Sequence, residues 1–98
     1  MQSEWTEFNI RWVEGLLDTC PENLLPLVNE ILFVAKEPNS EEKAVKLLDL
    51  RERFVNYKEI NGIPRINSAI GELLTVCIYK DLRDTAPVRH ITHDTFVK

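Results

Sequence analysis

The sequence has few glycines and few cysteines, and this scarcity excludes several classes of protein. Only three of its 98 residues are glycine, and none stands in a glycine-rich run of the kind that cradles a phosphate. The two cysteines, Cys20 and Cys77, are fewer than a small secreted disulfide scaffold would normally carry. We therefore expect neither a nucleotide-binding loop nor a disulfide framework.

The chain also lacks a long apolar run. No stretch approaches the roughly 20 apolar residues that cross a bilayer. Residues 1–5 have neither the basic start nor the apolar core of a signal peptide. We therefore expect an intracellular protein, cytoplasmic by default, that does not act at a membrane.

A surplus of basic residues is missing as well. The net charge is −4 and the sequence pI is near 5.1, which argues against a nucleic-acid binder because such proteins neutralise phosphates. The charge is unevenly distributed, with a net −7 over residues 1–42 and a net +3 over residues 43–98. This asymmetry suits internal pairing or head-to-tail association, and solvated faces alone also produce it.

The residues that are present have the spacing of helices. Apolar positions recur at helical intervals in four segments, and the polar turns between them are short. We predict an all-α fold, a four-helix bundle of two antiparallel helical hairpins joined at residues 61–64. A single domain covers residues 1–84, and residues 85–98 form a flexible or extended tail because they lack helical periodicity. The four predicted helices cover residues 4–18, 24–36, 40–62 and 65–84.

The longest predicted helix, residues 40–62, carries two apolar lines. Asn39 or Ser40 can cap its start, and Gly62 can end it. The first line has the three-four-three spacing of a coiled-coil seam, and the second is rotated by about a quarter turn. Two apolar lines need cover from two directions, so we expect part of this surface to bind a partner. The first line is Leu47, Leu50, Phe54 and Tyr57, and the second is Ala44, Leu48 and Val55.

The first helix has an unusual aromatic load. Trp5, Phe8 and Trp12 fall on one face together with Val13 and Leu16. Such a face is usually core. The other interpretation is an exposed anchor for a partner, because tryptophan is enriched at binding hot spots. In the second helix, Phe33 lies on the polar side, which makes it a further candidate contact.

A basic arc on the third helix supports an alternative function. Lys43, Lys46, Arg53 and Lys58, doubled by a two-fold axis, could lie across a nucleic-acid duplex. Against this interpretation stand the acidic total charge and the interleaved acidic residues, Asp49 and Glu52.

Catalytic and metal-binding patterns are weak. His90, His93 and Asp94 in the tail could ligate a metal, but a structural zinc site needs four organised ligands. Cys20 precedes a proline at a helix start, where a thiolate would be favoured, yet no base lies near it in sequence. Cys77 is expected to be a small buried apolar residue. We expect no enzyme activity, no metal site and no cofactor.

Taken together, these patterns favour a small non-enzymatic protein–protein interaction module. We expect an accessory, adaptor or inhibitor protein that acts through helix faces, with a homodimer or other homo-oligomer as its working form. Short helical chains of this kind are often accessory proteins of viruses or mobile elements. The alternative is a dimeric helical RNA- or DNA-binding protein. The predicted partner-binding residues are Leu47, Leu50, Phe54, Tyr57, Trp5, Trp12 and Phe33.

Overall fold

The computed structural model describes residues 4–81, and every regular element in this range is helical. Helix α1 spans Glu4–Gly15 and is followed by a single 3₁₀ turn, Leu17–Thr19. Helices α2 and α3 span Leu25–Ala35 and Glu41–Asn61. Helix α4 spans Asn67–Thr75 and continues as a π-helical segment, Val76–Asp81. For residues 4–81 the all-α prediction is confirmed, with four α-helices.

Both predicted ends of α3 are present. The Ser40 hydroxyl accepts a hydrogen bond from the Lys43 amide at 3.0 Å, so Ser40 rather than Asn39 caps the helix. At the other end Gly62 has φ of +91°, and its amide donates to the Lys58 carbonyl at 2.9 Å. A side chain would be strained at this φ, so glycine is the residue that lets the chain turn here.

The start of α2 differs in detail from the prediction. Pro26 does lie in the first turn, where its missing N–H has no intrahelical partner. Asn23, although a favoured residue type for capping, is not the N-cap residue, because the helix begins at Leu25 after a turn in which the Leu24 amide donates to the Pro21 carbonyl. The Asn23 side-chain oxygen instead accepts a hydrogen bond from the Tyr57 hydroxyl at 3.0 Å. This contact ties the loop before α2 to α3.

The helices pack in preferred pairs around one apolar core. Helix α2 packs mainly against α3, α1 mainly against α4, and the π-helical segment contacts both α3 and α1. The core draws on every α-helix, so the position of α1 is set by the same cluster that holds the rest. Its largest fully buried apolar side chains are Phe54, Leu24, Ile31, Leu47, Leu50, Ile66, Ile70, Leu73, Leu74, Val13 and Val28.

Candidate protein-interaction surface on the first helix

Helix α1 turns an unexpected face toward the core. Its buried residues are Thr6, Asn9, Ile10 and Val13. The aromatic line, which is usually the buried face of such a helix, lies on the outside. The side chains of Trp5, Phe8 and Trp12 are 57%, 56% and 39% exposed. The core interpretation is therefore wrong for the three rings, whereas Val13 of the same predicted face is buried. That the exposed rings anchor a partner stays a prediction.

We call Trp5, Phe8 and Trp12 the aromatic surface. At 100° per residue the three side chains lie within an arc of about 60°. Shallow depressions run between the rings, one lined by Glu4, Trp5, Phe8 and Arg11 and the next by Phe8, Arg11 and Trp12. Three half-exposed rings present roughly 300 Å² of apolar area, which is similar to the largest apolar patch on a typical monomer, and such a patch is often functional.

The orientation of α1 is costly for the isolated chain. Because each ring is only half buried, the fold loses on the order of 1 kcal/mol of the stabilisation that full burial of that ring would supply. On the inner side, Asn9 donates from Nδ2 to the Trp5 carbonyl at 2.8 Å, but its buried Oδ1 accepts no hydrogen bond from the described residues. Such a group typically costs about 1–3 kcal/mol. Intramolecular packing alone therefore does not explain why the rings face outward.

Charged residues flank the aromatic surface on one side only. Glu4 and Arg11 follow its edge, seven residues apart and both exposed. Glu14, further around the helix, is bound by Lys36, the residue that follows α2, with 2.8 Å between Nζ and Oε2. Glu7 is also exposed on this flank but lies further from the rings than Glu4 and Arg11. The depressions beside the rings are thus lined by one acidic and one basic group.

The predicted seam on α3 needs a correction. Leu47, Leu50 and Phe54 are buried in the chain's own core, because α2 and the π-helical segment both pack against α3. Tyr57 is half-buried against the same core and its hydroxyl bonds Asn23. These four residues hold the fold together, and we no longer place them on a partner surface.

The second apolar line of α3 is only partly covered. Ala44 is buried, Val55 is half-buried, and Leu48 is exposed, as is its neighbour Val45. The expected surplus of apolar surface on α3 is present on this line and not on the seam. Phe33 of α2 is 71% exposed, in agreement with its predicted position on the polar side.

The basic arc of α3 is largely used within the molecule. Lys43 is only 2% exposed, and its Nζ donates to the Glu37 carbonyl at 2.9 Å and to Asn39 Oδ1 at 3.1 Å. This lysine fastens the turn between α2 and α3, so its assignment to a nucleic-acid surface was wrong.

The other three basic groups of the arc also have partners in the chain. Lys46 lies 3.4 Å from the Glu37 carboxylate, and the Lys58 ammonium lies 5.0 Å from the centre of the Phe54 ring. Arg53 bonds Asp49 at 2.9 Å and approaches Glu30 at 3.5 Å. Exposed pairs of this kind are weak, but they lower the positive potential that a phosphate backbone would need.

Cys20 and Cys77 are not joined by a disulfide. Cys77 is buried in the core, as expected. Cys20 lies five residues before α2 begins, so no helix start stabilises its thiolate, and burial raises the pKa of the Cys20 thiol above its ordinary value. The expectation of a favoured thiolate was therefore wrong.

Residues 4–81 contain neither a metal-binding cluster nor a membrane-spanning helix. In this part of the chain there is no cluster of three or more His, Cys, Asp or Glu side chains that could hold a metal ion. None of its helices combines the length and the apolar character that crossing a bilayer requires. His90, His93 and Asp94 lie outside the described residues, and so does the predicted tail.

The sequence analysis did not predict that Glu4 and Arg11 flank the aromatic surface. It also did not include Phe8 among the predicted partner-binding residues. One signal was available. The charged residues of α1 occupy an arc of only about 80°, whereas the uncharged sector is more than 200° wide at 100° per residue. A sector of that width exceeds one helix's buried face, so half of it had to be exposed. Nothing in the pattern said that the half with Thr6 and Asn9 would be buried.

Comparison of the chain with protein-family models, with curated proteins and with solved structures finds no match.

Proposed function

We propose that this chain is a non-enzymatic protein–protein interaction module that binds its partner through the aromatic surface of α1. The observation that carries the proposal is the orientation of this helix. It buries Thr6 and Asn9 and exposes two tryptophans and a phenylalanine. Tryptophan is among the residues most enriched at binding hot spots, where a few side chains supply most of the affinity.

The rest of the fold acts as a scaffold for this helix. The Glu14–Lys36 ion pair joins α1 to the residue that follows α2, and Ile10 and Val13 join it to the common core. We propose that the four helices form a bundle. The α2–α3 contacts support one antiparallel hairpin of consecutive helices, and the α1–α4 contacts join the first helix to the last, so they do not support a second hairpin. A surface on a helix held in this way is preorganised, which reduces the entropic cost of binding.

The nucleic-acid alternative receives less support from the side chains. Lys43 is buried, and Lys46, Arg53 and Lys58 each have an intramolecular contact. The aromatic surface itself is flanked by Glu4 as well as Arg11 and does not offer the basic groove that single-stranded nucleic acids follow.

A capture experiment with matched variants tests the proposal. The full chain is immobilised, and proteins are captured from a lysate of the native host and from a solution of the same chain carrying a different tag. The double variant Trp5→Ala/Trp12→Ala should lose the captured protein, because removing a hot-spot side chain typically weakens binding by about 30-fold or more. The control is Phe33→Ala, a more exposed ring on another helix and away from the aromatic surface, which should capture as the wild type does.

The fold of each variant is checked by its helical circular dichroism and thermal midpoint. Capture that is identical for the wild type and for a folded double variant would reject the aromatic surface as the binding site.

A further inference from the structure

The aromatic surface has a charge pattern that matches itself. Glu4 and Arg11 are seven residues apart, so they lie on the same flank of α1 within about 20° and about 10 Å apart along the helix axis. Both side chains are exposed, and both line the depressions beside the rings. An acid at one end and a base at the other make the edge electrically antisymmetric about its middle, which is level with Phe8.

We infer that the occupant of the aromatic surface is the same surface of a second copy of this chain. The two α1 helices lie antiparallel about a two-fold axis level with Phe8. This inference rests on the proposed function, since it names the partner of that same surface. It places each Glu4 opposite Arg11 of the partner subunit, once at each end of the contact.

The positions of the three rings along α1 are also compatible with this two-fold axis. Phe8 sits on the axis and meets Phe8 of the partner subunit, and Trp5 lies within about one residue rise, 1.5 Å, of the level of Trp12 of the partner subunit. Each contact is therefore made twice, as in any isologous interface. In a parallel two-fold pair the charged flanks would lie on opposite sides of the contact, so neither Glu4 nor Arg11 would meet the charged flank of the partner subunit. Only the antiparallel arrangement brings the two flanks together with opposite charges facing each other, so it is favoured.

The size of the surface sets the strength of the contact. The three rings offer roughly 300 Å² per copy, whereas a standard interface buries about 800 Å² per partner. Residues around the rings must supply the remainder, and ordering them opposes association. The expected dimer is therefore reversible, with a dissociation constant on the order of micromolar.

Charge-swap variants of the full chain test the pairing by sedimentation velocity at low salt. The wild type should dimerise with rising concentration. E4R and R11E should each dimerise at least about tenfold more weakly, because each places like charges at both ends of the contact. An equal mixture of E4R and R11E should form mixed dimers. The double variant E4R/R11E should dimerise as the wild type does, because the opposite pairs are restored.

Both positions are exposed, so these variants should fold, and unchanged helical circular dichroism confirms that they do. A wild type that remains monomeric at high micromolar concentration would overturn the inference, as would single variants that associate as tightly as the wild type. If that monomer still captures a different protein through Trp5 and Trp12, the self-pairing fails and the proposed function stands. If the Trp5→Ala/Trp12→Ala variant loses no association of either kind, both fail.

Discussion

The Lys43 ammonium donates a hydrogen bond to the main-chain carbonyl of Glu37, with 2.9 Å between Nζ and O. The same Nζ donates to Asn39 Oδ1, so one side chain of α3 holds the turn that joins α2 to α3 from two points. A lysine is rarely this buried. Its long apolar stem packs in the protein while its head meets the carbonyl oxygens.

Lys43→Met should destabilise the protein by about 1–3 kcal/mol, because it removes a charged donor from partly buried acceptors while keeping an apolar stem. Chemical denaturation of the full chain measures the change. The control is Lys46→Met on the same helix. Lys46 is exposed and 3.4 Å from Glu37, so its loss should change stability by no more than about 0.5 kcal/mol. Equal effects of the two substitutions would contradict a structural role for Lys43.

The seam of α3 should behave as core in a stability experiment. Leu50→Ala should lower the free energy of unfolding by about 2–5 kcal/mol, because Leu50 is buried and its truncation leaves a cavity. Leu48→Ala, the same substitution two residues away at an exposed position, should cost no more than about 1 kcal/mol. The reverse order would show that α3 is rotated in solution. A charged substitution at this buried position, Leu50→Glu, is expected to unfold the chain. A loss of association in that variant would therefore not identify Leu50 as an interface residue.

Helices α3 and α1 show which features of the fold can be predicted from the sequence. The segments, the Ser40 cap and the glycine turn at Gly62 follow from local chemistry, and the structure contains them. Which apolar line of α3 is buried depends on the elements that pack against it. From the sequence pattern alone, Leu47 and Leu48 were equally good candidates for burial. For α1 the usual rule placed the aromatic rings inside, and the structure reverses it. Burial of Thr6 and Asn9 in their place is a tertiary choice that hydrophobic periodicity does not encode.

The Cys20 thiol should react more slowly than an unconstrained cysteine. Burial raises its pKa above the ordinary value of 9.0, so the thiolate fraction below that pH is smaller in the folded chain than in the unfolded chain. This thiol therefore favours the folded state below about pH 9 and ceases to do so as the pH rises through its folded-state pKa.

Alkylation by iodoacetamide, followed at each cysteine by peptide mass spectrometry with and without urea, tests this prediction. Cys20 should be modified faster in urea, and Cys77, which is buried, should be modified only on unfolding. If Cys20 were modified faster in the folded protein than in urea, the result would contradict the raised pKa. It would instead support the prediction of a favoured thiolate.

The protein should not be retained on heparin at near-physiological salt. Lys43, Lys46, Arg53 and Lys58 of α3 have intramolecular contacts, and the net charge is −4. Chromatography of the full chain checks this directly. Retention that falls steeply with added salt, and that is weakened by Lys46→Ala or Lys58→Ala, would instead support a phosphate-binding role for α3.

The most direct test of the central claim uses the chain's own fluorescence. Its two tryptophans, Trp5 and Trp12, both lie in the aromatic surface, so acrylamide quenching reports whether this surface is covered. We predict open access and red-shifted emission in dilute solution. Strong protection and a blue shift should appear in concentrated solution or with a captured partner. Equal access in the free and the associated samples, or full protection of the dilute monomer, would contradict the claim that this surface is where the protein binds.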